Sequence, residues 1–223
     1  MGNLFCFLVA LGFGFGPIYA KAGGGNYIQF LAPGVICMSI LFTSIFSGIE
    51  IIWDRQFGYL KETLVAPVSR IYIMIGRTLG GATVAMIQGL VVFILTFAVG
   101  FRPISITMLP VAFLSMFLVA LFFTALGTAI GSRLDDMQGF QIIINFLVMP
   151  LFFLSGALFP IEGLPKALEV VTRLDPLSYG VDAMRGTLSG AAHFGVGLDL
   201  IVLFILVLIV MIFGAKMFSK IEV

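Results

Sequence analysis

The sequence has few charged residues. Only 10% of its 223 residues are Asp, Glu, Lys or Arg, whereas 61% are hydrophobic. Soluble domains carry about 25% charged and about 45–50% apolar residues, so this composition cannot cover a water-facing surface. The bilayer is therefore the expected solvent, and an all-α integral membrane protein is the expected fold class.

Residues that perform chemistry are also scarce. The chain has one histidine, His193, and its two cysteines, Cys6 and Cys37, lie in apolar runs without metal-ligand spacing. No lysine follows a glycine, which excludes a P-loop for the phosphates of ATP. The net charge of +1 gives no basic excess for nucleic acid. We expect a non-catalytic protein that itself binds no metal or cofactor.

Long apolar runs occupy most of the chain. A bilayer core requires about 20 apolar residues per helix. Six runs approach that length: 4–19, 30–53, 71–99, 108–131, 140–159 and 196–218. We therefore expect one transmembrane domain, 1–223, with six helices. The first run is short, which leaves open either an N-terminal truncation or a short variant.

Basic residues are distributed unequally between the two sides of these runs. One side carries Arg55, Lys61, Arg70, Arg77, Arg133, Lys216 and Lys220. The short loops of the other side carry only Lys21 and Arg102. Because Lys and Arg accumulate in cytoplasmic loops, we expect a multi-pass protein of the plasma membrane with both termini in the cytoplasm.

Polar residues within the runs are candidates for function, because burying them in lipid is costly. Glu50 lies near the cytoplasmic end of the second run and could either act in function or pair with Arg55 or Arg77. Three amides share one face of the fifth run and fit either a transport pathway or interhelical hydrogen bonds: Gln138, Gln141 and Asn145. Glycines four residues apart, which favour close helix packing, occur as Gly12–Gly16, Gly76–Gly80 and Gly127–Gly131.

The charged segment between the second and third runs predicts a short helix. Residues 59–65 can form it after Gly58, and Pro67 ends it. Leu60, Leu64 and Val65 would make an apolar face, with Lys61 and Glu62 facing away. Such a helix at the membrane surface fits either a docking element for a soluble partner or a solvated connector.

Three segments carry a resemblance to a known family. They are Asp54-Arg-Gln-Phe-Gly-Tyr-Leu-Lys-Glu62 with Val65-Ala-Pro-Val-Ser-Arg70, then Pro150-Leu-Phe-Phe-Leu-Ser-Gly-Ala-Leu-Phe-Pro160 with Leu164-Pro165, and Asp175-Pro-Leu-Ser-Tyr-Gly-Val-Asp-Ala-Met-Arg185. In these segments the chain resembles the ABC-2 permeases, most closely the daunorubicin-resistance branch of multidrug exporters.

The resemblance implies a homodimer of six-helix subunits, each paired with a separate ATPase subunit that binds ATP and Mg²⁺. It implies alternating access and export of a hydrophobic or amphipathic molecule. Residues of the coupling element would be Glu50, Asp54, Arg55, Gly58, Lys61, Glu62, Pro67 and Arg70. A short, partly re-entrant helical hairpin at the outer mouth would involve Ser155, Gly156, Pro160, Pro165, Pro176, Asp182 and Arg185. Pro165 would start one of its helices, and Ser178 would be an N-cap.

Two other functions stay open. The first is an ABC-2 permease for polysaccharide or lipid-linked glycan, against which the scarcity of Trp and Tyr argues mildly. The second is an ATP-independent secondary transporter. Such transporters use ion sites near the membrane midplane, often in two repeated halves, and the sequence contains neither a midplane carboxylate nor a visible repeat.

Overall fold

The computed structural model describes residues 2–21, 26–65, 67–160 and 165–219. Throughout these ranges the regular structure is helical, with one 3-10 turn at Ile106–Met108 and no β-strand. The α-helices are α1 (Gly2–Lys21), α2 (Tyr27–Phe46), α3 (Ile49–Gln56), α4 (Tyr59–Val65), α5 (Arg70–Ala98), α6 (Leu109–Gly131), α7 (Met137–Leu154), α8 (Lys166–Leu174), α9 (Pro176–Ser189) and α10 (Val196–Ser219).

Five helical stretches are long and apolar enough to cross a bilayer. They are Tyr27–Gln56, Arg70–Ala98, Ile106–Gly131, Met137–Leu154 and Val196–Phe218. Helix α1 contributes a shorter apolar stretch, Leu8–Tyr19. Five of the six expected spans are thus confirmed as helices of spanning length. Large apolar side chains stay exposed on α5, α7 and α10, as a lipid-facing surface requires.

Helix α6 is the centre of the bundle. It packs against α2, α5, α9 and α10, and most of its residues are buried. Phe122 and Phe123 form an edge-to-face pair there, with ring centroids 4.9 Å apart. The core therefore lies around α6, while α7 and α10 expose most of their surface to the periphery.

Glycines allow α2 and α6 to cross with their backbones in contact. A Cβ atom on Gly127 would overlap the carbonyl oxygen of Ile45, and one on Gly48 would overlap the carbonyl oxygen of Gly127. A Cβ on Gly131 would likewise overlap the carbonyl oxygen of Gly48. At this crossing the second span is interrupted by a turn at residues 47–48, which separates α2 from α3. The Gly127–Gly131 spacing is therefore a true contact between helices.

The fifth span ends earlier than the sequence indicates. The apolar run extends to residue 159, but α7 ends at Leu154 and residues 155–160 form a turn. Gly156 adopts a φ of 74°, which is favourable for glycine and ends the helix. The hydroxyl of Ser155 donates to the carbonyl of Phe152 at 2.8 Å. Apolar content alone does not reveal this end, because the turn is itself buried.

Two short helices, α8 and α9, precede the last span, as expected for residues 161–190; residues 161–164 lie outside the described part. Pro165 directly precedes α8. The prediction that Ser178 caps the second helix is wrong. Asp175 is the N-cap of α9, its carboxylate accepting the Leu177 N–H at 2.8 Å, and Pro176 occupies the first turn.

Candidate functional site

The short helix α4 has the bounds that the sequence predicts, Tyr59–Val65. Gly58 adopts a φ of 83° and turns the chain between α3 and α4. Lys61 and Glu62 are exposed. The predicted apolar face is only partly correct: Leu60 is fully buried, whereas Val65 is 84% exposed. The side chain of Leu64 lies outside the described residues.

Leu60 anchors α4 in a small buried cluster that includes residues of four other helices. It lies in a small buried cluster with Ile51 of α3, Met74 of α5, Ala125 of α6 and Phe218 of α10. This cluster is separate from the main core. A displacement of α4 would therefore disturb a cluster that it shares with α3, α5, α6 and α10, because packed interiors transmit strain.

Two ion pairs hold the segment around α3 in place. Arg77 of α5 donates to the carboxylate of Asp54. Arg55 pairs with Asp135 and donates to the carbonyls of Ser132 at 2.9 Å and Leu134 at 3.2 Å. The suggestion that Glu50 pairs with Arg55 or Arg77 is therefore wrong. Among the described residues, the Glu50 carboxylate has no ion-pair or hydrogen-bond partner, and it is exposed.

The other predicted coupling residues lie on the surface beside α4. Pro67 is exposed in the connection to α5, and the exposed Arg70 is the first residue of α5. Lys61, Glu62, Pro67 and Arg70 are thus exposed and near one another in the sequence, and we call them the α4 surface. The ion pairs of Asp54 and Arg55 hold the preceding helix α3 to α5 and to the segment after α6.

A buried arginine organises the opposite end of the bundle, where α2 begins. Arg185 of α9 is 6% exposed, and its guanidinium carbon lies 3.9 Å from the ring centroid of Phe30 of α2. Its Nη2 donates to the carbonyl of Gly156 at 2.9 Å. Close to this turn, a Cβ on Gly34 of α2 would overlap the backbone of Ala157. Arg185 therefore connects α9, α2 and the 155–160 turn.

Asp182 stabilises the loop between α9 and α10 through hydrogen bonds to its backbone. Its carboxylate accepts the backbone N–H groups of His193 at 2.8 Å and Phe194 at 2.7 Å. It is 1% exposed. Of the predicted outer-mouth residues, the structure brings Ser155, Gly156, Asp182 and Arg185 into the buried interior around α9. Pro165 is exposed, while Pro160 and Pro176 are half-buried.

The junction of α8 and α9 contains two groups with shifted pKa values. Burial raises the pKa of the Asp175 carboxyl to about 7, against the lowering effect of the hydrogen bond from Leu177. Burial also raises the pKa of Tyr179, and the negative charge of Asp199 adds to this. The Tyr179 hydroxyl donates to the carbonyl of Arg173 at 2.7 Å, which ties the two helices together.

The three amides of α7 share one exposed face, as the sequence indicates. Gln138, Gln141 and Asn145 are all exposed. Gln141 donates to the Asn145 side chain at 3.2 Å, and this bond stays within α7. In the part of the chain that the structure describes, the amides make no hydrogen bond to another helix. The exposed face of α7 that carries these amides is therefore available to contact another protein surface.

An apolar cavity of about 360 Å³ lies between α1, α2, α7 and the 155–160 turn. Aromatic and methionine side chains line most of it: Phe15, Tyr27, Met38, Met149, Phe152, Phe153 and Phe159. Almost no polar surface reaches it, so it suits an apolar group. Sequence patterns do not predict this cavity, because its walls come from four separate segments.

The fold and these surfaces agree with the comparison with known proteins. A model of the ABC-2 type transporter family matches residues 3–189. The chain therefore belongs to the ABC-2 type transporter family, and it is a multi-pass membrane protein of the transport-permease kind.

Individual relatives are similar along most of the chain. A transport permease, ycf38, from Cyanophora paradoxa is 31% identical over 180 residues, which are 77% of this chain and 61% of that protein. The ycf38 permease of Porphyra purpurea is 28% identical, and the matched region covers 61% of that permease. Nodulation protein J of Rhizobium meliloti is 28% identical over 90% of this chain and 78% of its own length. The chain spans about three fifths of the length of the two ycf38 permeases.

Proposed function

We propose that the chain is the membrane subunit of an ATP-driven exporter that works by alternating access. Its partner would be a soluble ATPase subunit, which binds ATP and Mg²⁺ and docks on the α4 surface. The observation that carries this proposal is the construction of α4. It is a short helix with exposed Lys61 and Glu62, and its Leu60 belongs to a buried cluster with residues of α3, α5, α6 and α10.

The proposed topology follows from the charges and helices. With α1 as a sixth span, both termini and the α4 surface lie on one side, and the excess of Lys and Arg on that side makes it cytoplasmic. Helices α8 and α9 would then lie at the outer mouth and be partly re-entrant. Helices that do not span the membrane are tolerated at this depth where protein surrounds them, as it surrounds α9. A homodimer would complete the pathway, with Gln138, Gln141 and Asn145 on the exposed face of α7 as its polar elements.

The mechanism is a two-state equilibrium that both ATP and substrate bias. Closure of two ATPase subunits on each other would push α4, and Leu60 would carry that push to α5, α6 and α10. The spanning helices would then open the pathway outward. Asp54, Arg55 and Gly58 would belong to this coupling element because they hold or turn the chain that carries α4, and Glu50 would join them one turn before Asp54 on α3.

The proposed substrate is a hydrophobic or amphipathic molecule, as for the multidrug-export branch of the family. The cavity bounded by α1, α2, α7 and the 155–160 turn supports this, since its lining is almost wholly apolar. A glycan would require hydrogen-bonding partners along its path, which this cavity lacks. We therefore favour a drug-like or lipid-like molecule over a glycan.

The exposed charge of Glu62 gives the cleanest test of docking. We expect Glu62→Lys to reduce ATPase binding and export by about tenfold or more. The new positive charge would face either a like charge or no partner in an interface whose two sides carry complementary charges. Abundance in the membrane and thermal unfolding should stay at the wild-type level, because Glu62 is exposed. Export from vesicles and ATPase co-purification measure the two effects.

The matched control is Glu169→Lys on α8, near the other end of the bundle. The Glu169 side chain, which is 37% exposed, forms a surface ion pair with Arg173, which is 59% exposed. Such surface pairs contribute little, so we expect little change in ATPase binding or export. Full export by Glu62→Lys would exclude α4 as the docking element. Arg55 is less suitable for this test, because its bonds to residues 132–135 mean that its loss also changes stability.

A further inference from the structure

A second cavity, of about 500 Å³, opens between α3 and α5 at the cytoplasmic end of the proposed topology. Residues of α2, α3 and α5 line it, including Phe46, Glu50, Trp53, Arg77, Gly81 and Val84. We call it the Glu50 groove. Its volume falls within the roughly 300–1,000 Å³ typical of small-molecule sites. It is distinct from the apolar cavity beside α7, with which it shares no lining residue.

The groove carries one uncompensated negative charge. Arg77 is the only basic residue among the described residues that line it, and Arg77 is paired with Asp54. The Glu50 carboxylate has no ion-pair or hydrogen-bond partner in the described part of the chain. An unpaired carboxylate beside apolar surface attracts a cation, and none of the described side chains supplies one.

An aromatic ring lies beside this carboxylate. Trp53 follows Glu50 by three positions on α3, which places both on one face of the helix. The indole ring is 45% exposed, and its N–H group is held by the sulfur of Met137 at 3.1 Å. A carboxylate next to an indole is suited to ammonium groups, because the ring attracts cations over its face.

The depth of the groove matches the headgroup level of a bilayer. The second span contains 30 residues, Tyr27–Gln56, whereas about 20 cross the hydrocarbon core. A stretch of about 20 residues that starts at Tyr27 crosses the hydrocarbon core and ends near Phe46. Because a helix rises about 1.5 Å per residue, Glu50 lies about 6 Å beyond Phe46, outside the core. On α5, Val84 and Ile87 are 59% and 57% exposed and continue from the groove towards the membrane core.

We propose that the Glu50 groove binds an amphiphile with a cationic, ammonium-type head. The head contacts Glu50 and Trp53, and the alkyl chain lies along α5 over Val84 and Ile87. This inference rests on the proposed function in that it names a substrate class that enters from the inner leaflet. Binding itself requires neither ATP nor the ATPase subunit, so it can be tested separately.

The chain contains a single tryptophan, so its fluorescence reports on the groove directly. We would titrate the purified protein in neutral detergent with (2-bromoundecyl)trimethylammonium, whose bromine lies next to the head and quenches indole emission at contact. The 2-bromo derivatives of undecanol and undecanoate provide neutral and anionic chains of the same length. The expected result is saturable quenching by the cationic probe at a concentration about tenfold below that of the neutral one, a factor that corresponds to about 1.4 kcal/mol.

Two variants assign this effect to the carboxylate. Glu50→Gln keeps the shape of the side chain, and we expect it to remove the preference for the cation, which raises the half-saturation about tenfold. Glu169→Gln, a change on α8 near the other end of the bundle, should leave the titration at wild type. Added salt should weaken the binding of the cationic probe but not that of the neutral probe, because salt screens the attraction between charges.

Equal quenching by the cationic and neutral probes would overturn the proposal and identify the groove as an ordinary lipid contact. So would a Glu50→Gln protein that retains wild-type preference. Either result leaves the permease function untouched, since that depends on ATPase binding to α4. Conversely, a chain that binds the cationic probe but no ATPase would retain this site and lose the exporter mechanism.

Discussion

Replacement of Gly127 by alanine is expected to destabilise the bundle strongly, although it adds only one methyl group. The added Cβ would meet the carbonyl oxygen of Ile45, which is backbone and cannot rotate away. The helices must separate, and overpacking of this kind costs about 1–3 kcal/mol, with backbone displacement at the upper end. Unfolding in a denaturing-detergent titration should show an earlier transition.

Gly80→Ala is the matched control, since it adds the same methyl group to another glycine of a spanning helix. Nothing lies within 4 Å of a Cβ at that position, and alanine favours helix by about 1 kcal/mol over glycine. Gly80→Ala should therefore be as stable as wild type or more stable. If the two variants unfold at the same detergent fraction, the close α2–α6 crossing is wrong.

Replacement of Arg185 by methionine is expected to destabilise the subunit by about 3 kcal/mol. It removes a charge-assisted hydrogen bond to Gly156, of a kind worth about 1.5–3 kcal/mol, and a desolvated cation–π contact with Phe30, worth up to about 2 kcal/mol. Methionine keeps most of the side-chain length, so cavity formation contributes little. Thermal unfolding followed by size-exclusion chromatography would measure the loss.

Arg173→Met provides the comparison for Arg185. Arg173 lies on α8 and its guanidinium donates to Glu169 at 2.8 Å, four residues earlier, but the two side chains are 59% and 37% exposed. Exposed pairs at this spacing contribute about 0.3–0.5 kcal/mol, so this variant should unfold close to wild type. An Arg185→Met protein as stable as Arg173→Met would contradict the role assigned to Arg185.

Local patterns in the sequence predicted much of the fold. The bounds of α4 follow from a glycine before it and a proline after it, and α5 and α10 follow from apolar length. These features depend on neighbouring residues alone. The end of α7 was missed because the apolar run was continued to Phe159, whereas the helix ends before Gly156, which adopts a positive φ.

Contacts between distant segments could not be predicted in this way. Gly76–Gly80 and Gly127–Gly131 have the same spacing, yet only the second pair meets another backbone within the described chain. Likewise, Arg55 pairs with Asp135 rather than with the nearby Glu50. Such choices depend on which helices become neighbours, and one sequence does not carry that information in its periodicity.

If this chain works with a separate ATPase, the two proteins should co-purify. The chain would be extracted from its native membranes in gentle detergent after cross-linking, and its companions identified by mass spectrometry. We expect a stoichiometric soluble subunit with a P-loop, ATP hydrolysis by the complex and none by the isolated chain. A preparation without any ATPase, or ATP hydrolysis by the chain alone, would contradict it.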